Sequence, residues 1–285
     1  MYNLADPGTI KSILTRHDFN FSKALGQNFL INSAICPRMA QLCGASQAAG
    51  VIEIGPGIGV LTAELAKHAK KVVAIELDKR LMPVLKETLE GVDNVTVLQG
   101  DALTIDLKDI IDREFEGQKV AVCANLPYYI TSPVIMHLLE SRLPITSITV
   151  MVQKEAAVRL TATPGTREAG AVSLAVSYYS QPKVLFDVSS TSFMPRPSVD
   201  SCVIQLDVRD EPPVKTLNEV LMFRIIRAAF SQRRKTVLNA VASGLSLSKE
   251  RLTQILTAVG IPPTERGERL TLDDFARLAD ELCKE

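Results

Sequence analysis

The sequence is poor in the residues that build metal sites and disulfide frameworks. Its five cysteines are odd in number, and no two form a Cys-x-x-Cys pair: Cys36, Cys43, Cys123, Cys202 and Cys283. We therefore expect free thiols in a reducing cytosol rather than a disulfide framework or a zinc site. The three histidines, His17, His68 and His137, share no ligand spacing. No bound metal is expected.

Long apolar runs are also missing. No stretch approaches the roughly 18 apolar residues of a membrane span, and no signal-peptide pattern opens the chain. We therefore expect a cytoplasmic protein that does not associate with membranes. Hydrophobic residues make up 46% of the chain and charged residues 22%, which supplies a core and excludes a disordered chain. A length of 285 residues suits one large domain, or one domain with a smaller second one.

The chain has no net charge, because 32 basic residues balance 32 acidic ones. This balance argues mildly against nucleic acid as a partner, but the average hides one local exception. The segment 224–235 contains no acid and five cations: Arg224, Arg227, Arg233, Arg234 and Lys235. A local basic face is sufficient for phosphate contacts even on a neutral protein. The alternative is an ordinary solvated helix face.

The most informative local pattern lies between Val51 and Thr62. A short apolar run of the kind found in a buried parallel strand is followed by three alternating glycines, Gly55, Gly57 and Gly59, and then by a helix-compatible run. Such a strand–turn–helix corner binds ligands in open α/β sheets, and glycine lets the ligand approach the bare backbone. The dinucleotide fingerprint G-x-G-x-x-G would need glycine at position 60, which is Val60. The spacing Glu53-x-Gly55-x-Gly57-x-Gly59 instead resembles the first motif of S-adenosylmethionine (SAM)-dependent methyltransferases.

Acidic residues follow the next two predicted strands. The apolar run 72–75 ends in Glu76, about 20 residues past the first glycine, where an acid can accept hydrogen bonds from both ribose hydroxyls. The run 95–98 ends at Gly100 and Asp101. An ordinary surface acid after a βαβ turn is the alternative interpretation.

Predicted strands and helices alternate from 51 to 152, which indicates a parallel, doubly wound α/β sheet. Two runs rich in β-forming residues, 172–179 and 184–188, predict a hairpin, and Cys202–Val208 predicts a last strand. A break with linker character, Asp210–Pro213, follows, and all later segments have helical periodicity. We therefore predict one domain over 1–209 and a small, all-helical domain over 210–285.

The segment Asn125-Leu126-Pro127-Tyr128 follows the fourth predicted strand and suits methylation of an exocyclic amine on a base. The lone pair of such an amine is delocalised into the ring, so the amine is a poor nucleophile. Two acceptors that bind the NH₂ group favour the pyramidal geometry of the transition state. The side-chain carbonyl of Asn125 and the backbone carbonyl of Leu126 can serve, while Pro127 stiffens the turn and Tyr128 offers a flat face to the base. A strand-end Asn and Pro with buried tyrosines is the alternative.

Together these motifs resemble the ribosomal RNA adenine dimethyltransferases, specifically the bacterial small-subunit (16S) enzymes. The likeness covers nearly the whole chain. Besides the segments already described, it includes Leu25–Leu30, Phe193–Ser201 and Ala228–Lys235. It implies a Rossmann-like SAM-methyltransferase sheet, SAM as cofactor, and dimethylation of two adjacent adenosines of 16S rRNA in a monomeric enzyme acting on the small ribosomal subunit or its precursor.

The resemblance also implies roles for individual residues. Contacts to SAM are expected from Asn28, Leu30, Gly55, Gly57, Glu76, Asp101 and Asn125, with Asp101 facing the adenine amine of the cofactor. Asn125 would bridge cofactor and target, with Leu126 and Pro127 beside it, and Tyr128 and Phe193 would hold the target adenine. RNA contacts are expected from Arg233, Arg234 and Lys235.

Three other functions remain open on the sequence. The large-subunit rRNA adenine methyltransferases that confer macrolide resistance share this catalytic segment but usually have Ile where Leu126 stands, and the segment 228–235 favours the small-subunit enzymes. A non-catalytic RNA-binding or transcription factor on the same fold would not need an intact Asn-Leu-Pro-Tyr segment. A methyltransferase for small molecules or proteins would not need basic C-terminal helices.

Overall fold

The computed structural model describes residues 2–20, 28–232 and 234–284. The strands are β1 (Phe29–Leu30), β2 (Val51–Ile54), β3 (Val72–Glu76), β4 (Val95–Gln99), β5 (Val120–Asn125), β6 (Ile145–Gln153), β7 (Ser180–Val188), β8 (Phe193–Met194) and β9 (Ser201–Val208). The α-helices are α1 (Pro7–Arg16), α2 (Ile35–Leu42), α3 (Val60–His68), α4 (Met82–Thr88), α5 (Leu107–Phe115), α6 (Thr131–Glu140), α7 (Lys154–Leu160), α8 (Ala171–Tyr179), α9 (Glu219–Ser231), α10 (Val237–Leu245), α11 (Lys249–Ala258) and α12 (Leu272–Cys283). No helix in these described ranges is long and apolar enough to cross a membrane.

The main sheet has the strand order β4-β3-β2-β5-β6-β9-β7. Strands β2 to β6 run parallel to their neighbours, and β9 pairs antiparallel with β6. The chain moves outward from β2 to β4 and then returns to the other side of β2 with β5. The strand order therefore reverses between β2 and β5, and open α/β sheets bind their ligands outside the carboxyl ends of the strands at such a point. The predicted doubly wound α/β sheet is confirmed.

The central strands are buried along their length, as expected for parallel strands covered on both faces. One face of β2 packs Val51 into a core with α2 and α3, represented by Met39 and Leu65. A second core joins α1 to α4, represented by Ile10 and Leu85. Both cores lie against the strands whose ends carry the predicted site.

The chain divides into two compact units. One contains residues 1–157 and 182–208, and the other contains 158–181 and 209–285. The first unit holds the main sheet. In the second unit, α9 packs against α8, α10 and α12, and α11 packs against α10 and α12. The second unit therefore includes residues 158–181 in addition to the C-terminal helices that the sequence set apart.

The hairpin predicted over 172–179 and 184–188 is wrong, because the first run forms helix α8 and leads directly into β7. The β-branched and aromatic residues of this run favour a strand, but an apolar run this short does not distinguish a strand from a buried helix. The Ser173 hydroxyl stabilises the first turn, accepting from the Gly170 N–H at 2.7 Å and donating to the Gly170 carbonyl at 2.9 Å. Tyr178 and Tyr179 then pack their rings on Phe223 of α9.

Candidate active site

The polar and glycine residues singled out in the sequence follow four parallel strands at one edge of the sheet. Ile54 pairs with both Ile75 and Ala124, so the ends of β2, β3 and β5 lie side by side. The residues that come next are Gly55, Glu76 and Asn125, and Asp101 follows β4 on the far side of β3. Residues widely separated in the sequence thus meet at the point where the strand order reverses.

These strand ends line a pocket of about 1130 Å³, a volume that includes space open to solvent. Every residue predicted for cofactor binding or catalysis lines it: Asn28, Leu30, Gly55, Gly57, Glu76, Asp101, Asn125, Leu126, Pro127, Tyr128 and Phe193. Leu25, Gly26 and Gln27 of the predicted N-terminal motif lie outside the described residues. The pocket lies wholly within the first compact unit.

The glycine corner leaves room for a ligand against the backbone. Gly55, Gly57 and Gly59 all have positive φ angles, of 72°, 61° and 89°. A Cβ atom at Gly55 would meet nothing within 4 Å, whereas one at Gly57 would lie 3.1 Å from the ring of Phe29. The turn therefore needs glycine for its conformation, and at Gly55 it also presents open space.

The carboxylate of Glu76 is held by the backbone on both of its oxygens. Oε1 accepts from the Asp78 N–H at 2.8 Å, and Oε2 accepts from the Gly57 N–H at 3.1 Å. Burial raises the pKa of Glu76, and the two backbone donors oppose this rise. Each carboxylate oxygen can accept a further hydrogen bond, so the group can bind two neighbouring hydroxyls in a fixed orientation. The two acceptor oxygens of Glu76 and the open space at Gly55 fit a nucleoside with a free ribose.

The end of β5 presents an amide without a partner. Asn125 is partly buried, and within the described residues its side chain makes no hydrogen bond. The turn that follows is fixed, because the Pro127 carbonyl accepts from the Ile130 N–H at 3.1 Å and from the Thr131 hydroxyl at 3.4 Å. The amide of Asn125 therefore stands at a strand end just before a hydrogen-bonded turn, where its oxygen can accept a hydrogen bond from a ligand.

Two aromatic residues flank this amide, and each is anchored elsewhere. The Tyr128 hydroxyl lies 2.9 Å from the Ser201 hydroxyl. Phe193 is buried in β8, which pairs antiparallel with β1 so that Phe193 stands opposite Leu30. This short strand pair was not predicted from the sequence, and it places Leu30 beside Phe193 in the lining of the pocket.

The pocket also includes a buried acid that the sequence prediction left out of the site. Burial raises the pKa of Glu53 to about 8, so its carboxyl is largely neutral at pH 7. Within the described ranges, Oε2 of Glu53 has no hydrogen-bond partner. The only sequence signal was its place as the first residue of the glycine pattern.

The basic segment lies in the second unit. Arg224 and Arg227 are exposed on α9, Arg234 and Lys235 are exposed in the turn after it, and Arg233 lies outside the described residues. Among the residues that the structure describes, none of these four cations pairs with a carboxylate. Their charge is therefore available to an anionic partner.

Comparison with known proteins adds independent findings. The family model described as "Ribosomal RNA adenine dimethylase" matches residues 18–284. A ribosomal RNA small subunit methyltransferase A from Geobacillus thermodenitrificans is 49% identical over 98% of this chain and 97% of its own length. Among solved structures, a dimethyladenosine transferase from Plasmodium falciparum is similar with a TM-score of 0.73 and 27% identity, covering 90% of this chain and 97% of that one. The 23S rRNA methyltransferase ErmE has the same fold, with a TM-score of 0.68 and 24% identity over 90% of this chain and 99% of its own.

Proposed function

Because this chain belongs to the ribosomal RNA adenine dimethylase family, whose model spans residues 18–284, we propose that it dimethylates two adjacent adenosines near the 3′ end of 16S rRNA. The chain is a SAM-dependent rRNA adenine dimethyltransferase. Beyond that activity, we propose which RNA is methylated, how many of its adenosines are targets, and which residues bind the cofactor and the target base.

The choice of the small-subunit RNA rests on two features of the chain. A relative that is 49% identical over nearly its full length is named for the small subunit. Leu126 stands where the large-subunit enzymes of this design usually have Ile. The likeness to ErmE concerns the fold and does not discriminate between the two RNAs.

On the cofactor side of the pocket, the chain's own groups bind and orient. Bound SAM supplies an electrophilic methyl group on a sulfonium that is a good leaving group. Glu76 would accept hydrogen bonds from the ribose hydroxyls, and Asp101 would accept from the adenine amine. Gly55 and Gly57 allow close approach to the backbone, while Asn28 and Leu30 also line the pocket.

On the target side, the chain has to make a poor nucleophile react. The Asn125 side-chain oxygen and the Leu126 backbone carbonyl would accept hydrogen bonds from the NH₂ group of the target adenine. These contacts strengthen as the nitrogen becomes pyramidal, so they favour the transition state over the ground state. Tyr128 and Phe193 would hold the ring, and Pro127 keeps the turn stiff. Correct positioning of this kind can contribute roughly 7–11 kcal/mol to lowering the barrier.

One observation carries this assignment most directly. Asn125 ends strand β5 in the same pocket as Glu76, and its amide has no partner among the described residues. Its amide is therefore placed to bind a polar group of a ligand in this pocket. After the methyl is transferred and the nitrogen releases a proton to solvent, the amine keeps one N–H and its lone pair, so the same neutral acceptor can orient a second transfer.

RNA binding is proposed for the helical part of the chain. We assign SAM binding and catalysis to residues 1–209 and RNA binding to 210–285, with Arg233, Arg234 and Lys235 contacting phosphates. The substrate is proposed to be the small ribosomal subunit or its precursor in the cytoplasm, and the enzyme is proposed to act as a monomer without a membrane partner.

The test is methylation of a small-subunit particle assembled from unmodified 16S rRNA. We expect SAM-dependent formation of N6,N6-dimethyladenosine at two adjacent positions, read by mass spectrometry of digested RNA. Only monomethyladenosine at full conversion would contradict the dimethylation, and transfer to large-subunit particles alone would contradict the choice of RNA. Binding of labelled SAM with no transfer to any RNA would favour a non-catalytic RNA-binding factor.

A further inference from the structure

Tyr129 is an exposed aromatic residue at the pocket that the proposed function leaves unused. It lines the pocket together with Tyr128, yet 57% of its surface is exposed. Within the described part of the chain its hydroxyl has no hydrogen-bond partner. Neither packing nor hydrogen bonding within the chain accounts for a tyrosine here.

The local backbone fixes the direction of this ring relative to Tyr128. Tyr128–Ile130 form one turn of 3₁₀-helix, closed by the Ile130 N–H on the Pro127 carbonyl at 3.1 Å. Successive side chains on a 3₁₀-helix point roughly 120° apart. Tyr128 is tied by its hydroxyl to Ser201. Tyr129 therefore points away from that anchored ring and stands at the open rim of the pocket.

From this geometry we propose that Tyr129 stacks on the nucleobase next to the target adenine while that adenine occupies the pocket. The proposal rests on the proposed function, since it needs an RNA substrate with an extruded adenine. When a base is extruded from its stack, its neighbour loses a stacking partner on one side. Unstacked RNA bases commonly stack on aromatic side chains. An exposed aromatic ring that lines the pocket can replace the missing stacking partner.

The proposal has a consequence for substrate choice. In the proposed RNA, one neighbour of each target adenine is the other target adenine. Stacking on Tyr129 would then hold the second adenine at the rim while the first reacts. Because every base offers a π-face, the contact would fix the position of the RNA more than it would select a base sequence. Tyr129 is thus a substrate-binding residue rather than a group that touches the reacting amine.

The experiment compares three variants on the assembled small-subunit particle. Stacking on an aromatic ring is worth about 1–3 kcal/mol per base, so Tyr129→Ala should lower kcat/KM for the particle roughly 5- to 150-fold. Tyr129→Phe keeps the ring and should stay within about twofold of the wild type, because the stacking face is unchanged. Val184→Ala removes another exposed apolar side chain, 55% exposed and outside the pocket, and should change nothing. SAM affinity by calorimetry and the thermal midpoint should be the same in all three.

A second arm identifies the partner base. Two RNA substrates are made by ligating a synthetic 3′ segment to the rest of the 16S rRNA. Each carries a single target adenine, with an abasic nucleotide on its 5′ side in one substrate and on its 3′ side in the other. For one of the two sides, we expect the abasic nucleotide to lower the wild-type rate by about the factor seen for Tyr129→Ala, and to leave the rate of Tyr129→Ala unchanged.

The outcomes separate the two levels of inference. Normal methylation by Tyr129→Ala overturns the stacking proposal alone. The proposal is also overturned if, for both positions of the abasic nucleotide, its effect on the rate multiplies with that of Tyr129→Ala. The ring then contacts something other than the neighbouring base. Weakened SAM binding by Tyr129→Ala with unchanged use of RNA would assign the ring to the cofactor and would likewise overturn it. Absence of methylation by the wild type on any particle would contradict the proposed function itself.

Discussion

The two sides of the pocket differ in how much of their hydrogen bonding the fold completes. At the end of β3, both oxygens of Glu76 accept from backbone N–H groups of the chain. At the end of β5, the amide of Asn125 has no partner among the described residues, and Tyr129 leaves most of its ring in solvent. The proposed cofactor side is thus preorganised at Glu76, whereas the proposed target side leaves the Asn125 amide without a partner among the described residues.

This difference fits the order in which the two substrates are needed. A carboxylate already oriented by the backbone loses little conformational freedom when it binds a ribose, so the cofactor site can form in the free protein. In the proposed function, the groups on the target side would make their hydrogen bonds with the RNA, and most strongly in the transition state. Substitutions on the two sides should therefore separate cofactor binding from turnover.

Replacement of Asn125 should give the largest effect. Loss of one donor or acceptor aimed at the developing transition state typically costs about 10²–10³ in kcat, and we expect Asn125→Ala to fall in that range with a much smaller change in SAM affinity. Single-turnover methylation of the small-subunit particle and calorimetry with SAM provide the two measurements. Asn125→Asp keeps an acceptor oxygen and should retain more activity than Asn125→Ala. A near wild-type rate for Asn125→Ala would show that the amide does not orient the amine.

Replacement of Glu76 should lower SAM affinity more than turnover, the reverse of the effect expected for Asn125. Hydrogen bonds to a charged group are worth about 1.5–3 kcal/mol, so Glu76→Ala should weaken SAM binding roughly tenfold or more. At saturating SAM, turnover should change far less than in Asn125→Ala. Glu76→Gln preserves the shape but offers one carbonyl oxygen to two backbone donors, and its SAM affinity should lie between those of the wild type and Glu76→Ala. Unchanged SAM affinity in Glu76→Ala would show that Glu76, at the end of β3, does not bind the ribose of SAM.

The sequence predicted those parts of the site that depend on local pattern. A buried strand followed by glycine or a polar residue is visible within ten residues, and parallel strands bring such ends to one edge of a sheet. The strand pair that places Leu30 opposite Phe193 depends on contact between distant segments, which no local pattern reveals. The predicted strand at 172–179 failed because the run forms a helix that is buried along most of its length, and a short apolar run does not distinguish such a helix from a strand. The Oε2 atom of Glu53, which has no partner among the described residues, and the exposure of Tyr129 follow from packing and were visible only in the structure.

The smallest and least localised effect is expected from the basic segment in the second unit, far from the pocket in sequence. Arg234 and Lys235 are exposed and have no carboxylate partner among the described residues. Replacement of Arg233, Arg234 and Lys235 together by Ala should flatten the salt dependence of particle binding. Each lost phosphate contact removes about 0.7–0.9 from the slope of log K against log salt concentration. SAM affinity should not change, because neither Arg234 nor Lys235, the two of these cations that the structure describes, lines the pocket.

A matched variant controls for charge alone. Lys67, Lys108 and Lys183 are also exposed, but each already pairs with a carboxylate, that of Glu64, Asp112 and Asp207 respectively. Their joint replacement by Ala changes the net charge by the same amount and should leave the salt slope nearly as it is, since paired surface cations contribute little to an outside partner. Equal slopes of log K against log salt concentration for the wild type and both triple variants would show that the basic segment is a solvated helix end that does not contact phosphates. Because net charge is matched, a flatter slope in the first variant alone locates the phosphate contacts in residues 233–235 rather than in the overall charge of the protein.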